Sequence, residues 1–198
     1  MVEAQLGEGK RRAVFMKKML FFVLLSFNLQ AAELTEIEVI YEGNDIEINA
    51  LVEFYAPANE VFDVLTDYDN FTEVSSIYID SYWSEINDDQ TEGIGFTQVQ
   101  GCVLFWFCKT IERTEVVLMD RPHTIETRVT DDDLNYGITS WEFNEMDGVT
   151  TVIYSMNFDP NFWVPPVIGP WILEEFIAFK ATDTLNRIES MALASIDN

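Results

Sequence analysis

With 198 residues, 48% of them hydrophobic and 14% aromatic, and with 9 Gly and 6 Pro, the chain has the composition of a globular domain with material for one core. Its 35 Asp and Glu against 11 Lys and Arg give a formal charge of −24. A surface of that sign repels phosphate backbones and anionic headgroups, which excludes nucleic acid as a partner and leaves only apolar forces for any transient membrane contact.

At the N-terminus, Lys10, Arg11, Arg12, Lys17 and Lys18 precede an apolar run from Met19 to Phe27, and Leu29-Gln30-Ala31-Ala32 follows. Basic, apolar and small residues in that order predict a signal peptide over residues 1–31, cleaved after Ala31 or Ala32. Residues 1–15 are then an upstream extension if Met16 is the start. The run falls short of the roughly 20 residues that a spanning helix needs. The expected destination is secreted or periplasmic, with one domain over 32–198. The first 31 residues hold five of the 11 basic and two of the 35 acidic side chains, leaving 6 against 33, or −27.

Two alternating runs come next, Ile37 to Tyr41 and Asp45 to Phe54, with Glu42-Gly43-Asn44 as the turn between them. Ala56-Pro57-Ala58-Asn59-Glu60 reads as a helix start with proline in its first turn. Val61, Phe62, Leu65 and Tyr68 give that helix a face to bury, and Asn70 is placed to cap a short second helix. Six further strands follow: Tyr78–Ile86, Gly93–Cys102, Phe107–Met119, Thr124–Thr130, Tyr136–Phe143 and Thr150–Phe158. Turns such as Asn87-Asp88-Asp89-Gln90, Asp120-Arg121-Pro122-His123 and Met146-Asp147-Gly148 separate them. Short turns between successive strands make an antiparallel meander, and the fold class is α+β.

The last stretch breaks this pattern. Pro165-Pro166 excludes helix from the loop Asn161 to Pro170, whereas Pro170 suits a first helical turn. Leu173, Ile177, Ala181, Leu185, Ile188 and Ala192 then recur at steps of three and four, predicting one continuous buried helical face. Ile172, Phe176 and Phe179 add a second stripe in the first half alone. Such a helix can pack on a sheet at one end and over a cavity at the other, or make a broad solid core contact.

The segment Val52-Glu53-Phe54-Tyr55-Ala56-Pro57-Ala58-Asn59-Glu60-Val61-Phe62, continuing to Phe71, resembles the opening of START-like helix-grip (SRPBCC) proteins. The resemblance is closest to the polyketide cyclase/dehydrase and coenzyme Q-binding branch. The Arg121-Pro122 turn, the Trp141-Glu142-Phe143 strand and the closing helix extend it over roughly residues 35–194. It implies a curved antiparallel sheet wrapped around the C-terminal helix, with an apolar cavity between them for a lipid, quinone or polyketide-like ligand. Ligand identity does not follow from the fold.

In one straight strand Cys102 and Cys108 would stand about 20 Å apart, whereas a disulfide needs Cα atoms within about 7 Å. If they pair, Val103 to Phe107 forms a hairpin tip with the cysteines facing across it, as an oxidising compartment permits. The alternative is two reduced cysteines in the core. An apolar tip either folds inward or forms a portal, and the portal set is Phe105 and Trp106 with Phe162, Trp163 and Ile168.

Strand alternation nominates a ligand-binding set: Phe96, Gln98, Gln100, Ile111, Arg113, Trp141, Phe143, Tyr154, Met156 and Phe158, with Phe176 from the helix. Glu115 shares the strand face of Arg113. One residue of slip in register would turn a whole strand outward. No zinc spacing, phosphate loop or nucleophile elbow is present, so no catalytic residue, metal site or cofactor is assigned. His123, the single histidine, sits in a turn. The expected function is an exported carrier of a hydrophobic small molecule. The alternative is a cyclase or aromatase using Tyr154, Arg113 or His123 as acid or base, and a convergent polar group deep in the pocket would distinguish the two.

Overall fold

The computed structural model describes residues 31–103, 107–132, 134–163, 165 and 168–196. Strands β1 (Glu33–Glu42) and β2 (Asp45–Phe54) form a hairpin closed at Gly43, whose φ of 70° lies in the left-handed region open to glycine. Helix α1 (Ala58–Thr66), a 3-10 turn (Tyr68–Asn70) and the short α2 (Phe71–Val74) lead into β3 (Tyr78–Ile86), β4 (Glu92–Val103), β5 (Phe107–Asp120), β6 (Thr124–Asp132), β7 (Leu134–Met146) and β8 (Val149–Pro160). Helix α3 spans Pro170–Ile196. The predicted strands are all present, each within a few residues of its expected bounds. Most run slightly longer than the hydrophobic alternation indicated, because ladder pairing continues into polar ends that carry no pattern.

All eight strands belong to one antiparallel sheet in the order β1-β2-β8-β7-β6-β5-β4-β3. The meander β3 to β8 runs in sequence, and β2 then pairs with β8, so the first hairpin closes the far side. A curved antiparallel sheet, two short helices after the first strands and one long closing helix make this a helix-grip α+β fold.

Polar contacts fasten the helices to the sheet. Glu145 Oε2 accepts from the Ala58 N–H at 2.8 Å, which places a carboxylate at the positive end of α1. On α3 the buried Glu189 accepts from the Tyr55 N–H at 2.6 Å, tying the helix to the chain just beyond β2. Arg121 pairs with Asp63 at 2.6 Å, joining the β5–β6 turn to α1.

The main core lies between α1, the trailing half of α3 and the sheet. Val61 and Phe62 meet Phe54, Val117, Ile125, Phe143 and Val152 there, and Leu185, Ile188 and Ala192 close it from α3. The leading half of α3 behaves differently. Leu173 and Ile177 pack only partly, against a smaller cluster around Val39, Ile46 and Ile48. Of the second stripe, Phe176 is partly buried, whereas Phe179 stays 77% exposed because it projects from the side of α3 that meets no strand. The long helix is therefore a plug with one solid end and one loose end, and the space beneath the loose end is the candidate site.

Candidate functional site

The concave face of the sheet is built by alternation. On β5 the inward residues are Lys109, Ile111, Arg113 and Glu115, and across the ladder they face Gly101, Val99, Thr97 and Gly95 of β4. Among the described residues, two adjoining chambers lie between this wall and α3. The inner one, about 300 Å³, is lined by Ile111, Arg113, Glu115, Trp141, Tyr154, Met156 and Phe158, with Tyr68, Tyr78, Thr127, Thr139, Thr184 and Ile188. The outer one, about 220 Å³, is lined by Tyr41, Leu173, Phe176, Phe162, Ile168 and Lys109. Ile77, Val99, Ile111 and Phe158 border both and form a waist between them. Chambers of this size and apolar character suit an organic small molecule.

The register of β4 differs from the expected one. Alternation alone nominates Phe96, Gln98 and Gln100 as lining residues, whereas β4 presents the other set of alternate residues inward. Phe96 stacks on Tyr82 of β3 with ring centroids 4.9 Å apart, on the outer face of the sheet. Gln98 donates to Glu112 at 2.7 Å, and Gln100 donates to Thr110 at 3.0 Å while bordering the outer chamber at its rim. The physical reason is space. Tyr68 lies so close to the inner face that glycine is what fits beneath it, since a Cβ at Gly95 would fall 2.2 Å from Tyr68 Cε1; a Cβ at Gly101 would make ordinary contact with Phe176, 3.6 Å from its Cζ. Phe143 is likewise displaced from the lining; it is buried in the core, its ring 5.5 Å from that of Phe62. Ile111, Arg113, Trp141, Tyr154, Met156 and Phe158 all border the inner chamber, and Phe176 borders the outer one.

Sequence reasoning missed Tyr68, Tyr78, Thr127 and Thr139. The first was read as a helix face and the second as a strand end. The glycines at 93, 95 and 101 were the available signal, since alternate glycines on one strand mark a face that other groups approach closely.

The inner chamber holds a polar cluster. Tyr68 is buried and donates its hydroxyl proton to Glu115 Oε1 at 2.6 Å. Burial, and then the neighbouring Glu115 carboxylate, push the Tyr68 phenol well above its ordinary range. Arg113 donates through Nε to Thr97 Oγ1 at 3.3 Å, and Tyr78 lines the same chamber. Burial alone would lower the Arg113 pKa, but the Glu115 charge and the surrounding tyrosines overcome it and hold the guanidinium charged. Burial also raises Tyr78 and Tyr154. The Tyr154 hydroxyl has the Met156 sulfur at 3.2 Å, a weak acceptor, and its ring lies 4.4 Å from Trp141. The result is a deep pocket rich in N–H and O–H donors, leading outward into an almost wholly apolar chamber.

At the outer end Lys109 Nζ lies 4.7 Å from the Phe162 ring centroid. Ile168 is buried, whereas Trp163 is 71% and Trp171 66% exposed. Phe105 and Trp106 lie outside the described residues. Cys102 and Cys108 are joined by a disulfide across the β4–β5 hairpin, directly opposite each other in the ladder. His123 is exposed in the β5–β6 turn, among residues that border neither chamber. Among the described residues, no three His, Cys, Asp or Glu side chains are placed to hold a metal ion, and no helix is long and apolar enough to cross a membrane.

A sheet gripping a long helix over a two-chambered hollow defines the class of helix-grip proteins with an internal ligand cavity. The chain belongs to the polyketide cyclase/dehydrase and lipid transport family, whose pattern matches residues 45–189. No curated protein matches it. Among solved structures it is similar to a STAR-related lipid transfer protein from Xanthomonas axonopodis, with a TM-score of 0.62 and 16% identity over 82% of this chain and 99% of that one. It is also similar to a START superfamily protein from Mycobacterium smegmatis, with a TM-score of 0.61 and 12% identity, covering 73% and 98%. The Zhui aromatase/cyclase from Streptomyces sp. R1128 gives a TM-score of 0.58 and 16% identity, covering 77% and 96%. At these identities the likeness is one of fold.

Proposed function

We propose that this protein is an exported carrier that holds a hydrophobic small molecule, a lipid, quinone or polyketide-like compound, between the sheet and α3. The observation that supports this best is the graded pair of cavities, an inner chamber ringed by Arg113, Tyr78 and Tyr154 adjoining, across an apolar waist, the chamber under Phe176. Solved structures of this fold include a STAR-related lipid transfer protein, which agrees with a carrier. Export rests on the basic-apolar-small leader of residues 1–31 and on the disulfide. Trp163, which follows the lining residue Phe162, and Trp171, two residues before the lining residue Leu173, are both exposed and make that end the proposed portal, docking transiently on a neutral lipid surface.

The polar cluster favours a second reading, a cyclase or aromatase acting in the same cavity. Against it, the ring of groups supplies donors but a poor base: Tyr78 and Tyr154 are held protonated by burial, and Glu115 Oε1 is engaged by Tyr68. Native mass spectrometry of protein purified from the exported fraction, with lipid extraction, tests the carrier. A co-purifying apolar molecule released on denaturation is expected. A consistently empty protein that takes up no apolar probe would overturn it.

A further inference from the structure

Among the described residues, two formal charges face the inner chamber, and they are opposite. Arg113 and Glu115 stand two residues apart on one strand face and balance each other. Of the other lining hydroxyls, Tyr68 and Thr184 donate to Glu115 and Ser75, whereas Tyr78, Tyr154, Thr127 and Thr139 have protons to give. Arg113 donates through Nε to Thr97, while the Tyr154 proton faces a thioether. A guest with carbonyl oxygens would therefore find donors without disturbing the charge balance. An ionised carboxylate would add a third charge beside Glu115 and leave one negative charge uncompensated away from bulk water, an expensive arrangement. The outer chamber offers an alkyl chain its apolar walls of Leu173, Phe176 and Ile168.

We infer that the cavity selects a neutral amphiphile with a carbonyl-bearing head, bound head inward against Arg113 and Tyr154 with its chain lying outward through the waist. This rests on the carrier reading and adds charge selectivity and orientation to it.

Dodecanoic acid and its methyl ester, which share a chain and differ in charge, test it at pH 8 by displacement of a neutral solvatochromic dye from the full protein. The ester is expected to displace dye at a concentration at least tenfold lower than the acid. Because an uncharged ester enters any oily pocket more readily, the deciding comparison is Glu115→Gln, which leaves Arg113 uncompensated. That variant should shift the acid-to-ester ratio at least tenfold toward the acid. Orientation has its own readout in the wild type: bromine beside the ester carbonyl should quench Trp141 more than bromine at the chain end, read as the difference from Trp141→Phe. This second readout decides the matter if Glu115→Gln fails to fold. An unchanged ratio in folded Glu115→Gln, or stronger quenching from the chain end, overturns the inference while the carrier reading stands. If dye, ester and acid all fail to bind, the carrier reading itself falls.

Discussion

The ring of Tyr68 occupies the space that a side chain at position 95 would need, and its hydroxyl reaches Glu115 from there. Backbone, ring and carboxylate thus form one unit in which each part fixes the next. A methyl at position 95 would meet an aromatic ring backed by Trp83 at 4.4 Å and Phe71 at 4.5 Å, so the ring has no easy retreat. Gly95→Ala is expected to destabilise the protein by about 2–4 kcal/mol, combining overpacking with loss of the Tyr68 bond, as measured by urea unfolding. Tyr68→Phe keeps the ring and removes only the donor from a buried carboxylate. It should lower the unfolding midpoint by an amount corresponding to about 1–3 kcal/mol, with the slope of the transition unchanged. If Tyr68→Phe proves neutral, Glu115 is satisfied by other partners and the unit is not coupled.

Among the elements, α3 and the β4–β5 hairpin decide where the cavity lies. The order of strands, the paired small helices and the long closing helix were legible from alternation, turn residues and the three-and-four spacing of α3. The facing of β4 was not, because Phe96, Gln98 and Gln100 carry the more distinctive side chains and alternation alone cannot say which set of residues faces in. Bulk supplied by Tyr68, distant in sequence, chose the glycine side instead. Phe143 shows the same limit: periodicity gave its face correctly, but whether that face meets core or hollow depends on α1 packing above it. The waist gives the element-scale test. Ile111→Trp places a larger ring between the chambers, where there is space rather than packed core, so the fold should persist with unfolding shifted by less than about 1.5 kcal/mol. Affinity for a dodecanoyl ester should fall at least tenfold, and retained affinity would show that the guest does not cross the waist. At the mouth, Trp163→Ser combined with Trp171→Ser should leave affinity for a dissolved ligand unchanged while slowing its transfer from neutral phosphatidylcholine vesicles several-fold. Unchanged transfer would dissociate these aromatics from lipid contact.

For the whole molecule, the same burial that shapes the pocket sets its tolerance of alkali. Tyr68, Tyr78 and Tyr154 all hold their protons above the ordinary phenol value of 10.0 in the folded state, chiefly because burial penalises the phenolate. Once unfolded, each would ionise near pH 10. Below that pH both states bind the same protons, and the contribution of these groups to stability is fully present. Above it the unfolded chain releases protons that the folded chain retains, so stability falls as pH rises, by about 1.4 kcal/mol at pH 11 for each tyrosine that stays protonated. Denaturant midpoints should therefore show no loss from these groups up to about pH 9 and decline from about pH 10 upward. Phenolate absorbance should show Tyr68, Tyr78 and Tyr154 ionising only together with unfolding. A ligand that hydrogen-bonds the neutral phenol of Tyr154 stabilises only the folded, protonated form, and its binding should move the alkaline transition upward. A single titration of all tyrosines near pH 10, without loss of structure, would mean that the inner chamber is open to bulk water, and the selectivity argued from its charge balance would lose its basis.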